Sequence, residues 1–491
     1  MTPALQSYSK TEVALIIFFL CPVALWLVQN VQVDLGSTLC VFIFVTIIGL
    51  WSCHRTIFLL NDSKLGMLGS VWLIKLGLTV FLLYAGWITD LDPSSPNWGS
   101  DPFRFYYDAW ATVQNNWIPL STWDGYTFAS GVNYTGIIYY YGFIFYLFGH
   151  NPVTPALVNS FITLLGTLFL VRCLYAFFPH RTDKDWYLVW LLLIPEVVWY
   201  DIQTSRESLM SVLIIVSVLS AGRYFVGVKN IKILGTLLLS GTTLFAVLAV
   251  RTSMAIPIIM SMFFFVVLFR SQTMKGPLAT VLVLGLVLGL MFFGPLIQNQ
   301  LGGADVNYSN SLVASQSFEN NVASSSQMSW SDNSIGMLIV PRNAWQSILF
   351  LWPRMILYLS VPFPQVTVTL GGLLEGTYPP WANLMNLLTA ILMVSGFPYV
   401  LAATAMTFRN RKSFPAELII PITFWITFIA VAGGNMIIHE RYRLMCSLLL
   451  FACMWIGYAY CSSSELNRWA SRWFTLLAIC AAFFIGYKYI L

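Results

Sequence analysis

The chain has 491 residues, of which 58% are hydrophobic and only 9% charged, whereas a water-soluble domain carries roughly 25% charged residues. That balance excludes a soluble globular fold. The formal net charge of +5 marks no nucleic-acid partner, because Lys and Arg are scattered in ones, twos and threes between apolar runs, which is a topology signal. The eight Cys lie in or at the ends of apolar segments without a CxxC pair, so neither a disulfide framework nor a thiolate metal site is expected.

The expected fold is all-α, a polytopic membrane protein with about 13 spans. Runs long enough to cross about 30 Å of hydrocarbon as helix occur near 12–31, 37–53, 66–89, 153–177, 186–201, 207–226, 233–250, 254–269, 277–297, 383–407, 415–434, 444–461 and 473–490. The first has no small-residue cleavage site after it and reads as a retained span rather than a signal peptide. Two further apolar runs, 136–148 and 345–362, are expected not to span. The first is short and holds Tyr139, Tyr140, Tyr141 and Tyr146, residues that favour the membrane–water interface. The second carries Pro353 and Arg354 at its middle, where a lipid-facing Arg costs roughly 3 kcal/mol. Both read as interfacial or re-entrant helices on the outer face.

With those two runs left out and the N-terminus inside, the inner loops collect most cations, among them Lys64, Arg181, Lys184, Arg409 and Arg472. The outer side keeps Arg104, Arg206, Arg251, Arg342, Arg354, Arg441 and Arg443, and the C-terminus falls outside. Two long polar stretches, 90–135 and 298–344, also fall outside; the second is rich in Ser and Asn and reads as a flap over an acceptor. The chain divides into two added N-terminal helices (1–65), a core (66–297) with the first outer loop at 90–152, an outer loop with an interfacial helix (298–382), and C-terminal spans (383–491). No internal repeat is evident. The inner loops are too short for a nucleotide-binding domain and no GxxxxGK[ST] motif occurs, which excludes an ATP-driven pump within this chain.

The first outer loop contains Asp101-Pro102-Phe103-Arg104-Phe105-Tyr106-Tyr107-Asp108-Ala109. As a helix with Pro102 in its first turn, this stretch places Asp101, Arg104 and Asp108 on one face. Arg104 stapling the two carboxylates competes with a role for Arg104 at a site. Arg206, Arg251, Arg441 and Arg443 stand at outer ends of spans, against the bias that normally clears that side. They suggest an anionic ligand, since Arg grips phosphate through a rigid fork of donors; snorkelling to headgroups is the alternative. Thr204-x-x-Glu207 has capping-box spacing, which gives Glu207 a structural role. Glu196 follows Pro195 inside a run and is either functional or paired with an outer Arg. His439 and Glu440 are auxiliary candidates for proton transfer or metal binding. Trp98, Trp110, Trp117 and Trp123 serve either as sugar-stacking faces or as interface anchors.

These stretches resemble the GT-C glycosyltransferases, which take sugars from polyprenyl-phosphate donors on the outer side of a membrane. The resemblance rests on four features taken in order: the Asp-containing, Tyr-rich helix 101–109; the interfacial helix ending Leu147-Phe148-Gly149 before a span near Val153; the turn Thr204-Ser205-Arg206-Glu207; and His439-Glu440-Arg441-Tyr442-Arg443-Leu444 before a late span. It implies a multi-pass protein of the cell (inner) membrane with its active site on the outer side. The partners implied are a polyprenyl-phosphate-linked sugar, a glycan or lipid-linked acceptor, and membrane lipids. In that reading Asp101 and Asp108 are catalytic, and Arg206, Arg251, Arg441 and Arg443 hold the donor phosphate. The family's second acidic residue directly beside the first is replaced by Pro102, so a divalent metal is left open. The rival functions are a lipid-linked oligosaccharide polymerase or ligase, with a pyrophosphate leaving group, and a lipid-sugar flippase.

Overall fold

The computed structural model describes residues 35–87, 101–117, 135–178, 182–226, 233–251, 254–269, 349–360, 380–411, 415–434 and 440–490. Among them the regular structure is helical throughout, as hydrocarbon demands of a chain that must satisfy its own backbone. The α-helices are α1 (Leu35–Leu60), α2 (Leu68–Leu82), α3 (Asp101–Gln114), α4 (Thr135–Phe148), α5 (Val153–Phe177), α6 (Pro195–Asp201) and α7 (Glu207–Phe225). They continue as α8 (Ile233–Val250), α9 (Ala255–Phe269), α10 (Leu351–Ser360), α11 (Pro380–Asn410), α12 (Ile419–Gly434), α13 (Glu440–Tyr460) and α14 (Ser463–Ile490).

Seven helical segments among the described residues are long and apolar enough to cross a membrane: Gly36–Leu60, Ser63–Gly86, Val153–Phe177, Glu207–Tyr224, Trp381–Asn410, Ala416–Gly433 and Arg441–Tyr460. The expected spans 12–31 and 277–297 lie outside the described residues. Those at 233–250 and 254–269 are the shorter apolar helices α8 and α9, and 473–490 is the second half of α14.

The expected span at 186–201 is not one helix. A 3₁₀ segment, Asp185–Leu193, is followed by a break at Ile194 (φ −58°, ψ 120°) and then by α6. Pro195 is the cause: its ring pushes the preceding residue out of the helical region, and the proline then opens a new helix at its first position. Among the described residues the two doubtful runs hold helices of 14 residues (α4) and 10 residues (α10); at 1.5 Å per residue each is shorter than about 30 Å of hydrocarbon.

Helix α13 is central, packing on α7, α11 and α12, while α5 joins α1 and α2 to α7. Hydroxyls stitch helices together where lipid offers no hydrophobic drive: Thr79 to Ser160 (2.9 Å) between α2 and α5, and Ser220 to Ser240 (2.6 Å) between α7 and α8. Side-chain contacts sort the connecting segments into two ends. At one end Lys64 meets Asp183 (3.1 Å), Lys184 donates to the Tyr458 carbonyl, and Arg409 meets Glu465 (2.8 Å). At the other Ser37 donates to the Phe148 carbonyl (2.9 Å), Thr204 donates to the Pro102 carbonyl, and Arg251 lies over Tyr442.

Candidate functional site

The second of these ends holds Arg206, Arg251 and Arg441, three of the residues that the sequence singles out. Arg206 is the residue before α7, Arg251 follows α8, and Arg441 and Tyr442 lie in the first turn of α13. The guanidinium carbon of Arg251 lies 4.7 Å from the centre of the Tyr442 ring and that of Arg441 lies 4.9 Å from it. Arg441 also donates to the Tyr442 hydroxyl at 3.0 Å. Arg206, Glu207 and Arg441 are within electrostatic reach of Arg251, and Arg206 pairs with Glu207 at 3.4 Å. Three of the four expected arginines thus converge from helices far apart in sequence. Arg251 and Arg441 are half-buried, whereas Arg206 is buried.

Arg443 goes elsewhere. It pairs with Glu196 at 2.7 Å with both side chains 0% exposed, and donates to the carbonyls of Tyr358 (3.2 Å), Leu359 (3.3 Å) and Asn386 (3.4 Å). Glu196 also accepts from the Ser447 hydroxyl, and its backbone N–H donates to Thr389 at 3.0 Å. A charge pair at this depth is tolerable only with such complete hydrogen bonding. The pair ties α6, α10, α11 and α13 together. It sets Arg443 apart from the other three arginines of the expected phosphate site, and it is the pairing with an Arg that the sequence offered as one reading of Glu196.

The capping-box expectation at 204–207 is also corrected. The residue flanking α7 is Arg206, with no side-chain cap bond, because the Thr204 hydroxyl is turned to the Pro102 carbonyl. That bond holds the first turn of α3, which begins at Asp101, against the turn that carries Arg206. The side chains of Asp101, Arg104 and Glu440, and all of His439, lie outside what the structure describes. Asp108 is buried on α3, and α3 packs along α4, where Gly142 faces the Ala109 carbonyl and the Trp117 ring. Gly136 brings α4 onto the last turn of α8: a Cβ there would stand 2.4 Å from the Ala249 carbonyl oxygen, two residues before Arg251.

Two further features, at Lys75 and His150, were not anticipated from sequence, and Arg354, expected away from lipid, has a defined place. Arg354 does not face lipid: its Nε donates to the Ala432 carbonyl at 2.7 Å, it bonds Tyr358, and Tyr358 is in electrostatic reach of Tyr442 and Arg251. Lys75, in the middle of α2, forms a second fully buried ion pair, with Asp201 at 2.8 Å. His150, between α4 and α5, is stacked on Trp110 (4.8 Å, planes 4° apart) and lies 4.4 Å from the Tyr106 ring. The signal for Lys75 was available, since an ionisable residue inside an apolar span is a functional candidate by default. Among the described residues no three His, Cys, Asp or Glu side chains come together as a metal site. Compared with family models, curated proteins and solved structures, the chain matches none.

Proposed function

We propose that this chain is a membrane glycosyltransferase that moves a sugar from a lipid-phosphate carrier to an acceptor at the end of the bundle where Arg206, Arg251 and Arg441 meet. The observation that carries the reading is the meeting of Arg251 and Arg441 on Tyr442, with Arg206 in electrostatic reach of Arg251 and carried by the turn to which the first turn of α3 is fastened. A phosphate bound there would accept charge-assisted hydrogen bonds from the guanidinium groups, of about 1.5–3 kcal/mol each. In the proposed reaction an acceptor hydroxyl oxygen bonds to the anomeric carbon while the bond from that carbon to the phosphate oxygen breaks. The hydroxyl proton passes to the Asp101 carboxylate, a contribution of about 10²–10⁴ in rate for a positioned base, and the departing phosphate keeps its electron pair against the arginines. Asp108, buried on the same helix, is the second catalytic carboxylate in this reading.

The test is binding and transfer with purified protein and a polyprenyl-phosphate sugar. Arg251→Ala and Arg441→Ala are expected to weaken donor binding by tens-fold with the fold intact, and Asp101→Asn to abolish transfer while leaving binding unchanged. Near-normal transfer by Asp101→Asn would remove that residue from the mechanism, and undiminished binding by both arginine variants would remove the donor site. Carriage of a lipid-linked sugar across the bilayer is a second reading, favoured by the interrupted segment 185–201, since broken helices mark transport sites. Movement of donor between leaflets without any transferred sugar would favour it.

A further inference from the structure

Turns between helices normally lie at the surface, where water satisfies their backbone. The turn 202–206 is instead buried at every residue, so its carbonyls need partners inside the protein. Asn159 on α5 donates through Nδ2 to the carbonyls of Asp201 (3.2 Å) and Gln203 (3.0 Å). Tyr141 on α4 donates through its hydroxyl to the Ser205 carbonyl at 2.6 Å, the residue before Arg206. The Tyr140 hydroxyl donates to Asn159 Oδ1 at 2.9 Å, which fixes the amide with its NH₂ toward the turn.

Behind this layer lies the pair in which Lys75 reaches Asp201 from α2. Thr163 on α5 donates to the Asp201 carboxylate at 2.7 Å and accepts from Lys75 at 2.9 Å. Buried ion pairs seldom stabilise a fold more than an apolar pair of the same volume. What this one supplies is direction: Asp201 ends α6, and fixing its carboxylate from α2 sets where the turn begins.

We infer that Lys75, Asp201, Asn159 and Tyr141 are positioning residues, a buried frame that holds the 202–206 turn so that Arg206 meets the donor phosphate. The inference rests on the phosphate-site reading above. The frame touches no ligand; it acts through the turn, and direct hydrogen bonds run from α2, α5 and α4 to the turn as far as the Ser205 carbonyl, one residue before Arg206.

The experiment measures binding of polyprenyl phosphate in lipid nanodiscs to the full-length protein. Tyr141→Phe removes one hydroxyl and keeps the ring. It is expected to weaken binding about tenfold, the scale of a lost hydrogen bond to a group that must stay in register, yet to have no effect in an Arg206→Ala background, because its influence passes through that side chain. The double variant Lys75→Met with Asp201→Leu is expected to stay folded and to bind as weakly as Arg206→Ala. Wild-type affinity in Tyr141→Phe, or equal weakening with and without Arg206, would overturn the inference even if Arg206→Ala and Arg251→Ala confirm the site. Should the double variant fail to fold, the Tyr141 and Arg206 cycle still decides. Absence of binding by the wild type, or indifference to Arg251→Ala and Arg206→Ala, would instead remove the phosphate site and the frame with it.

Discussion

Glu196 and Arg443 illustrate how burial turns a charge into a structural commitment. With both side chains at 0% exposure, removing one partner leaves the other uncompensated, at about 3–5 kcal/mol, whereas replacing both by apolar residues of similar volume is close to neutral. Glu196→Gln is therefore expected to lower the unfolding temperature in detergent well below that of Glu196→Leu with Arg443→Met; equal melting of the two would refute the pairing. His150 makes a pH prediction. Burial among aromatic rings pushes its pKa down from 6.5 to about 4, so between those values the unfolded chain takes up a proton that the folded one refuses. Its contribution to stability is full above pH 6.5 and is lost as pH falls toward 4. His150→Phe keeps the stack and should flatten that acid arm of the melting curve; an unchanged slope would show that another group is responsible. At this scale sidedness alone made three of the four arginines legible. The fate of Arg443 was not, because the choice between a ligand and Glu196 depends on which helices meet.

Helices whose signal is local were legible from hydropathy. The runs expected at 37–53, 153–177 and 444–461 appear as α1, longer at both ends, α5, with the same bounds, and α13, which starts four residues earlier. The failure at 186–201 has a physical reason: apolar composition reports solubility in hydrocarbon, not hydrogen bonding, and Pro195 leaves the composition intact while breaking the helix. Thr204 misled in a similar way, since capping spacing says nothing of a competing acceptor from another element, here the Pro102 carbonyl. Close helix approach was equally invisible, because Gly136 matters only when α8 arrives against it. Gly136→Leu is expected to force α4 off the end of α8, displacing Arg251. A loss of polyprenyl-phosphate binding of at least about tenfold with helical content unchanged, the equivalent of about 1.4 kcal/mol, is the expected result; unaltered affinity would show that the approach is incidental.

The two ends of the molecule carry different chemistry, and that asymmetry is the widest-reaching consequence of the fold. One end holds ordinary surface pairs, Lys64 with Asp183 and Arg409 with Glu465, which contribute little to stability on their own. The other brings Arg251 and Arg441 onto the Tyr442 ring, with Arg206, which pairs with Glu207, in electrostatic reach of Arg251. Under the expectation that the N-terminus is inside, we propose the first end as the inner side and the second as the outer. Proteoliposomes can test this without knowledge of the acceptor's full structure. Vesicles are sorted by whether a cysteine introduced at Asp183 reacts with an impermeant thiol reagent from outside, and polyprenyl-phosphate sugar and acceptor are then supplied only externally. Transfer is expected in the fraction whose Asp183→Cys end is enclosed, since only there does the arginine end face the added substrates. In intact cells the same cysteine should be protected from the impermeant reagent until the membrane is opened. Transfer that follows the accessible Asp183→Cys fraction instead would place the chemistry at the Lys64 end, and neither the arginine cluster nor Asp101 would then belong to the reaction.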